Sequence, residues 1–516
     1  MPFDGVTVIP ILMGREGLWG VRNSGQVPLG AFRTLRNVTL EDGTIRKMGG
    51  GAALGSAIGA SLTIHAAVDY WPDVSTQRTL AFTSDGVLQK DNGSGASWAN
   101  LATGLAVTGA PAFTIGGAEE LGKARKAFFF DGVNSPRVLA GDAASAAAVA
   151  RPADDWVGTT QPRAMTVHDD GRMWAAVGNN LYGSLPNDHE DFTSFRLVIP
   201  VASGNLGEYI AALRSYKGLL LAWKYPRGAY AVDTSEAAPR VFKFAEAGAY
   251  GPQNVQQIED DLLSIAPDGS WHLASATQAT GSVRASDLSA RKLGSFFREQ
   301  INLAQLATAQ LIYYAHKGVA QLACHAVGQT TAKNRVVNFD VLKSAEIGER
   351  WSLGDRDQNE ALFLRKKSGI EIPAMGDAAG QIWELDQTDR GKAGAAYTME
   401  AELWDNDFAK LVPKWEGRRK HGRFLQVEYD PRTASTLDVD VIADGVASQS
   451  LTFSLASGPG ALPQTLPFLL QAATTRLSQR KRMLGTFTRL ALRCRNTGLN
   501  EDSGLIKLLV GMEYVG

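Results

Sequence analysis

The chain has 516 residues, too many for one ordinary hydrophobic core, so several cores or one large repeat architecture are expected. Hydrophobic residues at 44% and charged residues at 20% are a globular balance that excludes bulk disorder. Lys+Arg at 52 against Asp+Glu at 53 leave a formal net charge of −1, without the global basic surplus of a nucleic-acid or anionic-membrane binder.

Fifty-four glycines and 20 prolines punctuate short runs of Val, Leu, Ile, Phe, Tyr and Trp, a texture of many short strands. The start, Met1-Pro2-Phe3-Asp4-Gly5, has no basic stretch leading into an apolar one, so no signal peptide is expected. No run approaches the length of a membrane span, and no membrane insertion is expected. The first 50 residues read as an extended arm that packs on something else. They carry Trp19, Val27, Leu29, Phe32, Leu35 and Val38 with no period that closes a core. Such an arm docks on the C-terminal domain, on a neighbouring subunit, or on both, with Arg33, Arg36, Arg46 and Lys47 facing acids across the contact. Gly49-Gly50-Gly51 lacks the Lys-Ser/Thr of a phosphate-binding loop and reads as a hinge.

From residue 51 to 395, turn signals flanked by strand-forming residues recur: Ser84-Asp85-Gly86, Phe130-Asp131-Gly132, Gly178-Asn179-Asn180, Pro226-Arg227-Gly228, Pro267-Asp268-Gly269, His316-Lys317-Gly318 and Lys367-Ser368-Gly369. Each reads as a hairpin whose turn needs a positive φ. Their spacing of about 40–50 residues is that of a propeller blade, which gives a β-propeller of about six or seven blades. Trp174, Tyr182, Trp223 and Trp383 are expected to be mostly buried between blades. The patch Ala285–Ala309 has loose helical spacing and reads as an irregular segment or short helix interrupting a blade.

From 396 to 516 the pattern becomes one of alternating half-buried strands: Tyr397–Trp404, Phe424–Tyr429, Leu437–Ile442, Thr488–Arg495 and Leu505–Val510. This predicts a C-terminal β-sandwich. The overall expectation is an all-β chain with an arm at 1–50, a propeller at 51–395 and a sandwich at 396–516.

The sequence offers little catalytic chemistry. His65, His168, His189, His272, His316, His325 and His421 are scattered without zinc-site spacing. The adjacent acids Asp154-Asp155, Asp169-Asp170, Glu190-Asp191 and Glu259-Asp260-Asp261 are the candidates for a glycosidase pair, but all lie in turn-like contexts where Asp commonly caps a turn. Asp188-His189-Glu190-Asp191 lacks the ligand order of a calcium loop. Asp91–Trp98 resembles the Asp box of sialidase propellers at its Gly-x-Ser-Trp end, a structural hairpin and not an active site. Cys324 and Cys494 are expected as two free buried thiols of a reducing cytosol, a disulfide being the alternative. No catalytic, cofactor-binding or metal-ligating residue is assigned, and an enzyme is not expected. Basic residues cluster at Lys414, Arg418, Arg419, Lys420 and Arg423, and again at Arg476, Arg480, Lys481 and Arg482. They read as a solvated rim, a contact to an acidic subunit face, or a contact to phosphate.

Three stretches resemble bacteriophage tail nozzle (tail tubular) proteins. The first is Val27-Pro28-Leu29-Gly30, then Asn37-Val38, then Asp42-Gly43-Thr44-Ile45-Arg46-Lys47. The second is Arg172-Met173-Trp174 with Leu181-Tyr182-Gly183-Ser184 and Pro186-Asn187-Asp188-His189-Glu190-Asp191-Phe192. The third is Gln381-Ile382-Trp383-Glu384-Leu385-Asp386 with Thr388-Asp389-Arg390-Gly391. The resemblance implies a non-enzymatic virion component, assembled in the host cytoplasm. It would form a ring, usually of six subunits, below the portal and adaptor, enclose the DNA-ejection channel and support tail fibres or a needle. A tail-tip hub or fibre-attachment protein of the same fold, and more distantly a propeller glycosidase or lectin, are the alternatives.

Overall fold

A computed structural model describes residues 6–515 except 21–26, 42, 60, 117–123, 159, 194–196, 201–206, 236–238, 277–282, 291, 294–295, 342–348, 356–359, 388–389, 393–394, 432, 456–476, 500 and 502. The chain is all-β: a six-bladed β-propeller with two further, larger sheets. Five blades are four-stranded antiparallel meanders in chain order, spanning 64–102, 112–148, 164–200, 209–247 and 255–287. The last blade takes three strands from 361–387 and its fourth, Gly50–Ala53, from the start of the chain. Between the fifth and last blades a further meander, Gln310–Asp355, holds a place in the ring. Its outer strand continues into a nine-stranded sheet through the parallel pairing of Arg36 with Leu353. The expected six or seven is met in both senses, as six separate blades and seven places around the axis.

All seven anticipated turns are hairpins, one in each of these units. In each the glycine sits at positive φ, from 59° at Gly178 to 95° at Gly228, a conformation that a Cβ would disfavour. Trp174 (0% exposed), Tyr182 (3%) and Trp223 (1%) are buried, as expected. Trp383 is only half-buried; its indole Nε1 donates to Asp377 Oδ2 (2.7 Å), so it works as a turn clasp near the rim. Trp174 makes the same bond to Asp170 Oδ2 (3.0 Å) while fully buried. The patch at Ala285–Ala309 begins as the outer strand of the fifth blade, Val283–Asp287. It becomes a five-residue helix, Phe296–Gln300, only after that blade is complete, so it links two units and interrupts neither.

The stretch 1–50, expected as an extended arm, is instead woven into both parts of the molecule. Strand β1 (Val6–Leu12) pairs along its whole length with the C-terminal strand, from Val6↔Glu513 to Leu12↔Lys507. Strand β2 (Phe32–Arg36) pairs with Met399–Leu403, while β3 (Val38–Glu41) and β4 (Thr44–Lys47) form a hairpin at the edge of the other sheet. β5 (Gly50–Ala53) then closes the propeller, so Gly50 and Gly51 belong to a strand, with Gly49 leading into it, and not to a hinge. A Cβ on Gly49 would lie 2.7 Å from Asp386 Cα, which explains the close approach there. The contact foreseen for the arm is therefore made inside one chain. Its cations pair internally: Arg33 with Glu402, Arg36 with Asp355 and Arg46 with Asp430, while Lys47 Nζ donates to Asn496 Oδ1 (3.1 Å).

The strands anticipated at 397–510 lie in the two large sheets, whose facing sides share one core containing Phe32, Leu35, Ile45, Val427, Val439, Leu492 and Val510. That core runs without a break into the propeller through Trp271, Phe297, Phe339 and Trp351. Their ring centroids lie 4.4–6.2 Å apart, within the range of favourable aromatic contact.

Candidate functional site

Two places concentrate chemistry: the propeller axis, and the outer face of the sandwich. Inner strands are apolar where blades touch, but residues turned toward the axis have no partner blade, and a cavity of about 900 Å³ remains there. Its charged lining is balanced, with Arg125, Arg214 and Lys366 against Asp69, Asp73 and Glu371. Arg214 donates to the carbonyls of Leu213 (2.9 Å), Pro252 (2.7 Å) and Val255 (2.5 Å), which clips the fourth unit to the fifth. Burial without a carboxylate neighbour pulls its pKa down to about 10. Gln310 reaches the adjoining last blade and, past it, the first, accepting from the N–H of Leu362 and donating to the carbonyl of His65 (3.0 Å). Gln253 Nε2 donates to the carbonyl of Pro111, from the fifth unit to the entry of the second.

Two of the three carboxylates at the axis are tied up. Asp69 accepts from Trp71 Nε1 (2.9 Å), Gln77 Nε2 (2.8 Å) and the Lys366 N–H (3.0 Å), which fastens the first blade to the last. Asp73 accepts from the Ser75 N–H, the Ser75 hydroxyl and the Thr76 N–H. These bonds to the charged form hold its pKa down near 2, unsuited to donating a proton at neutral pH.

The acids singled out in the sequence are dispersed and structural. Asp155 accepts from the Tyr182 hydroxyl (2.5 Å), and Glu190 pairs with Lys126 (3.0 Å). Asp191 pairs with Arg151 (2.8 Å). Asp169 accepts from the Ser215 hydroxyl and the Gly218 N–H, and Asp261 from the Tyr216 hydroxyl. In the Asp-box-like hairpin Asp91 does the bridging, accepting from the N–H groups of Thr79 (2.6 Å) and Gly95 (3.1 Å). His168 lies between the hydroxyls of Ser215 and Thr234. Cys324 and Cys494 are free and buried, each pushed up to about 12 by desolvation. Among the described residues no cluster of His, Cys, Asp or Glu has the geometry to hold a metal, and no helix is long and apolar enough to cross a membrane.

The basic residues Arg480, Lys481 and Arg482 lie together on the strand Leu477–Arg482, at the edge of the sheet that also contains β1; Arg476 lies outside the described residues. Arg480 stacks over Phe424 (4.1 Å to the ring centre) and donates to Gln426 Oε1 (3.0 and 2.8 Å). Arg423 pairs with Glu513, and Arg418 donates to the Tyr514 hydroxyl (2.9 Å). Lys420, by contrast, is buried on carbonyls of Arg418 and Thr488, a structural cation. Sequence reasoning missed Arg214, Gln310 and Asp69, because residues that face an axis carry no motif and only ring closure brings them together.

No protein-family model matches the sequence, and no curated protein matches it. Among solved structures the chain is similar to the WD40 β-propeller domain of Doa1, at 10% identity and a TM-score of 0.39, covering 66% of this chain and 97% of that one.

Proposed function

We propose that the chain is a non-enzymatic structural subunit of a bacteriophage tail, a nozzle protein that forms a ring of about six copies around the DNA-ejection channel. The observation that carries this reading is the course of residues 27–53. The stretch with the first resemblance motif is the strap that joins sandwich to propeller, and it ends as the strand paired with Trp383 and Glu384 of the third motif. Two motifs separated by more than 300 residues in sequence come to one joint, where Arg390 of the third donates to the carbonyl of Lys47 of the first (3.0 Å), and this supports the reading. The engagement of Asp69 and Asp73, which leaves Glu371 without a free carboxylate partner among the acids lining the axis, supports a structural over a glycosidic role, since glycoside hydrolysis needs an acid and a facing carboxylate. A net charge of −1 suits a channel through which DNA slides, because each cation that neutralises a phosphate adds a salt-dependent grip. Portal, adaptor and fibre or needle proteins are the partners this role implies.

Electron microscopy of the purified full-length chain tests the reading. Closed rings of about six copies with an axial opening are expected; a strictly monomeric particle at all concentrations and salt conditions would overturn it.

A further inference from the structure

The ring reading requires two unlike surfaces that fit each other, because a closed ring larger than a dimer is built from head-to-tail contacts. Among the described residues two such surfaces are present. The first is the outward face of the sheet containing β1. Alternation along β1 places Val6, Val8, Pro10 and Leu12 outward while Ile9 and Ile11 are buried; Val8 and Leu12 are each 47% exposed. Register carries this row across the sheet: Val8 lies beside Gly511, Gly511 beside Phe424, and Phe424 beside Arg482. A Cβ on Gly511 would fall 2.3 Å from the Phe424 ring, so the glycine makes room for that ring to lie against the sheet beneath Arg480, where it is 6% exposed. The exposed apolar row is therefore that of β1, with Val8, Pro10 and Leu12 exposed and Val6 half-buried; on the far side of the same sheet stand exposed Arg480, Lys481 and Arg482, beside a groove of about 580 Å³. Arg480 is oriented by Phe424 and Gln426, and none of the three is held by an ion pair among the described residues.

The second surface is formed by adjacent hairpins on one face of the propeller. Asp169 of the third blade is tied to the fourth-blade hairpin through Ser215 and Gly218, and Tyr216 of that hairpin is tied to Asp260 and Asp261 of the fifth blade. Asp169, Glu259 and Asp260 are exposed, with Lys217 as the cation among them. No ion pair between these acids and the arginine strand exists within the chain among the described residues.

We propose that the basic face around Arg480 and Arg482, with the exposed apolar row of β1 beside it, docks on the acidic hairpin face around Asp169 and Asp260 of a second copy of this chain. Opposite charges at the rim steer the encounter and set the register, while the row Val6, Val8, Pro10 and Leu12 supplies the dry centre. Because the surfaces differ, a joined pair keeps one of each free, and the chain of contacts continues until rotation closes it.

The test is a charge swap on the full chain, read by light scattering and electron microscopy, with circular dichroism to establish folding. R480E/R482E and D169K/D260K are each expected to fold and to assemble at least tenfold more weakly than the parent. An equimolar mixture of the two is expected to assemble again, because every contact in an alternating ring then joins opposite charges. Assembly of the parent is expected to weaken as salt rises from 0.05 to 0.5 M, the range over which screening takes hold. Folded variants that still form rings alone, or a mixture that stays dissociated, would overturn the interface while leaving the ring reading intact. A parent chain that never assembles would overturn both.

Discussion

Removal of residues 1–48 is the perturbation whose outcome the fold changes most. For a free arm, deletion would spare the rest of the chain. In the structure the segment supplies β1 to β4 and buries Ile9, Ile11, Met13, Leu18, Val27, Phe32, Leu35, Val38, Leu40, Ile45 and Met48. At about 1.5–3 kcal/mol for each buried side chain, these eleven contribute roughly 15–30 kcal/mol of gross apolar burial, before the entropy of ordering the segment is subtracted. That exceeds the ~5–15 kcal/mol net stability of a typical domain. The cut also exposes the inner faces around Val510 and Leu403, and it leaves β5 attached to Trp383 without its covalent link to the sandwich. The truncated chain is therefore expected to lose the sandwich, with an early transition in calorimetry and dye binding to exposed apolar surface, while the blades from 64 to 287 keep their β signal. A single cooperative melt within a few degrees of the full chain would refute the claim that the two chain ends build one core.

Two further outcomes follow from burial and titration. Trp174→Ala and Trp223→Ala should each cost about 3–5 kcal/mol through the cavity left, whereas Trp383→Ala, half-buried, should cost visibly less; chemical denaturation of the three variants checks the order. Burial holds His325 near a pKa of 4, against an ordinary 6.5. The unfolded chain thus takes up a proton between pH 6.5 and about 4 that the folded chain refuses, and stability falls with acid by up to about 1.4 kcal/mol per pH unit from this group. His325→Gln should flatten that part of the pH–stability curve; an unchanged slope would place the acid sensitivity elsewhere.

The sequence by itself determined the local structure. Each hairpin is a contact between near neighbours, closed by a turn that only a residue tolerant of positive φ makes cheaply, so Gly86, Gly132, Gly178, Gly228, Gly269, Gly318 and Gly369 mark their units without reference to the rest of the chain. The alternation at Leu437–Ile442 and Leu505–Val510 is local in the same way, because a strand with one buried face repeats every two residues. Tertiary structure decided every pairing between distant segments. β1 meets the C-terminal strand across some 500 residues, and Gly50–Ala53 meets Trp383 and Glu384 across more than 300. Neither period nor turn chemistry specifies such a partner, since any half-buried strand offers the same pattern to any open edge. The choice was made by the edges left open once the hairpins had formed: the last blade lacked a fourth strand, and the C-terminal strand had a free side. The axis followed from the same closure, when Arg214, Gln310 and Asp69 were brought face to face only after the ring had shut.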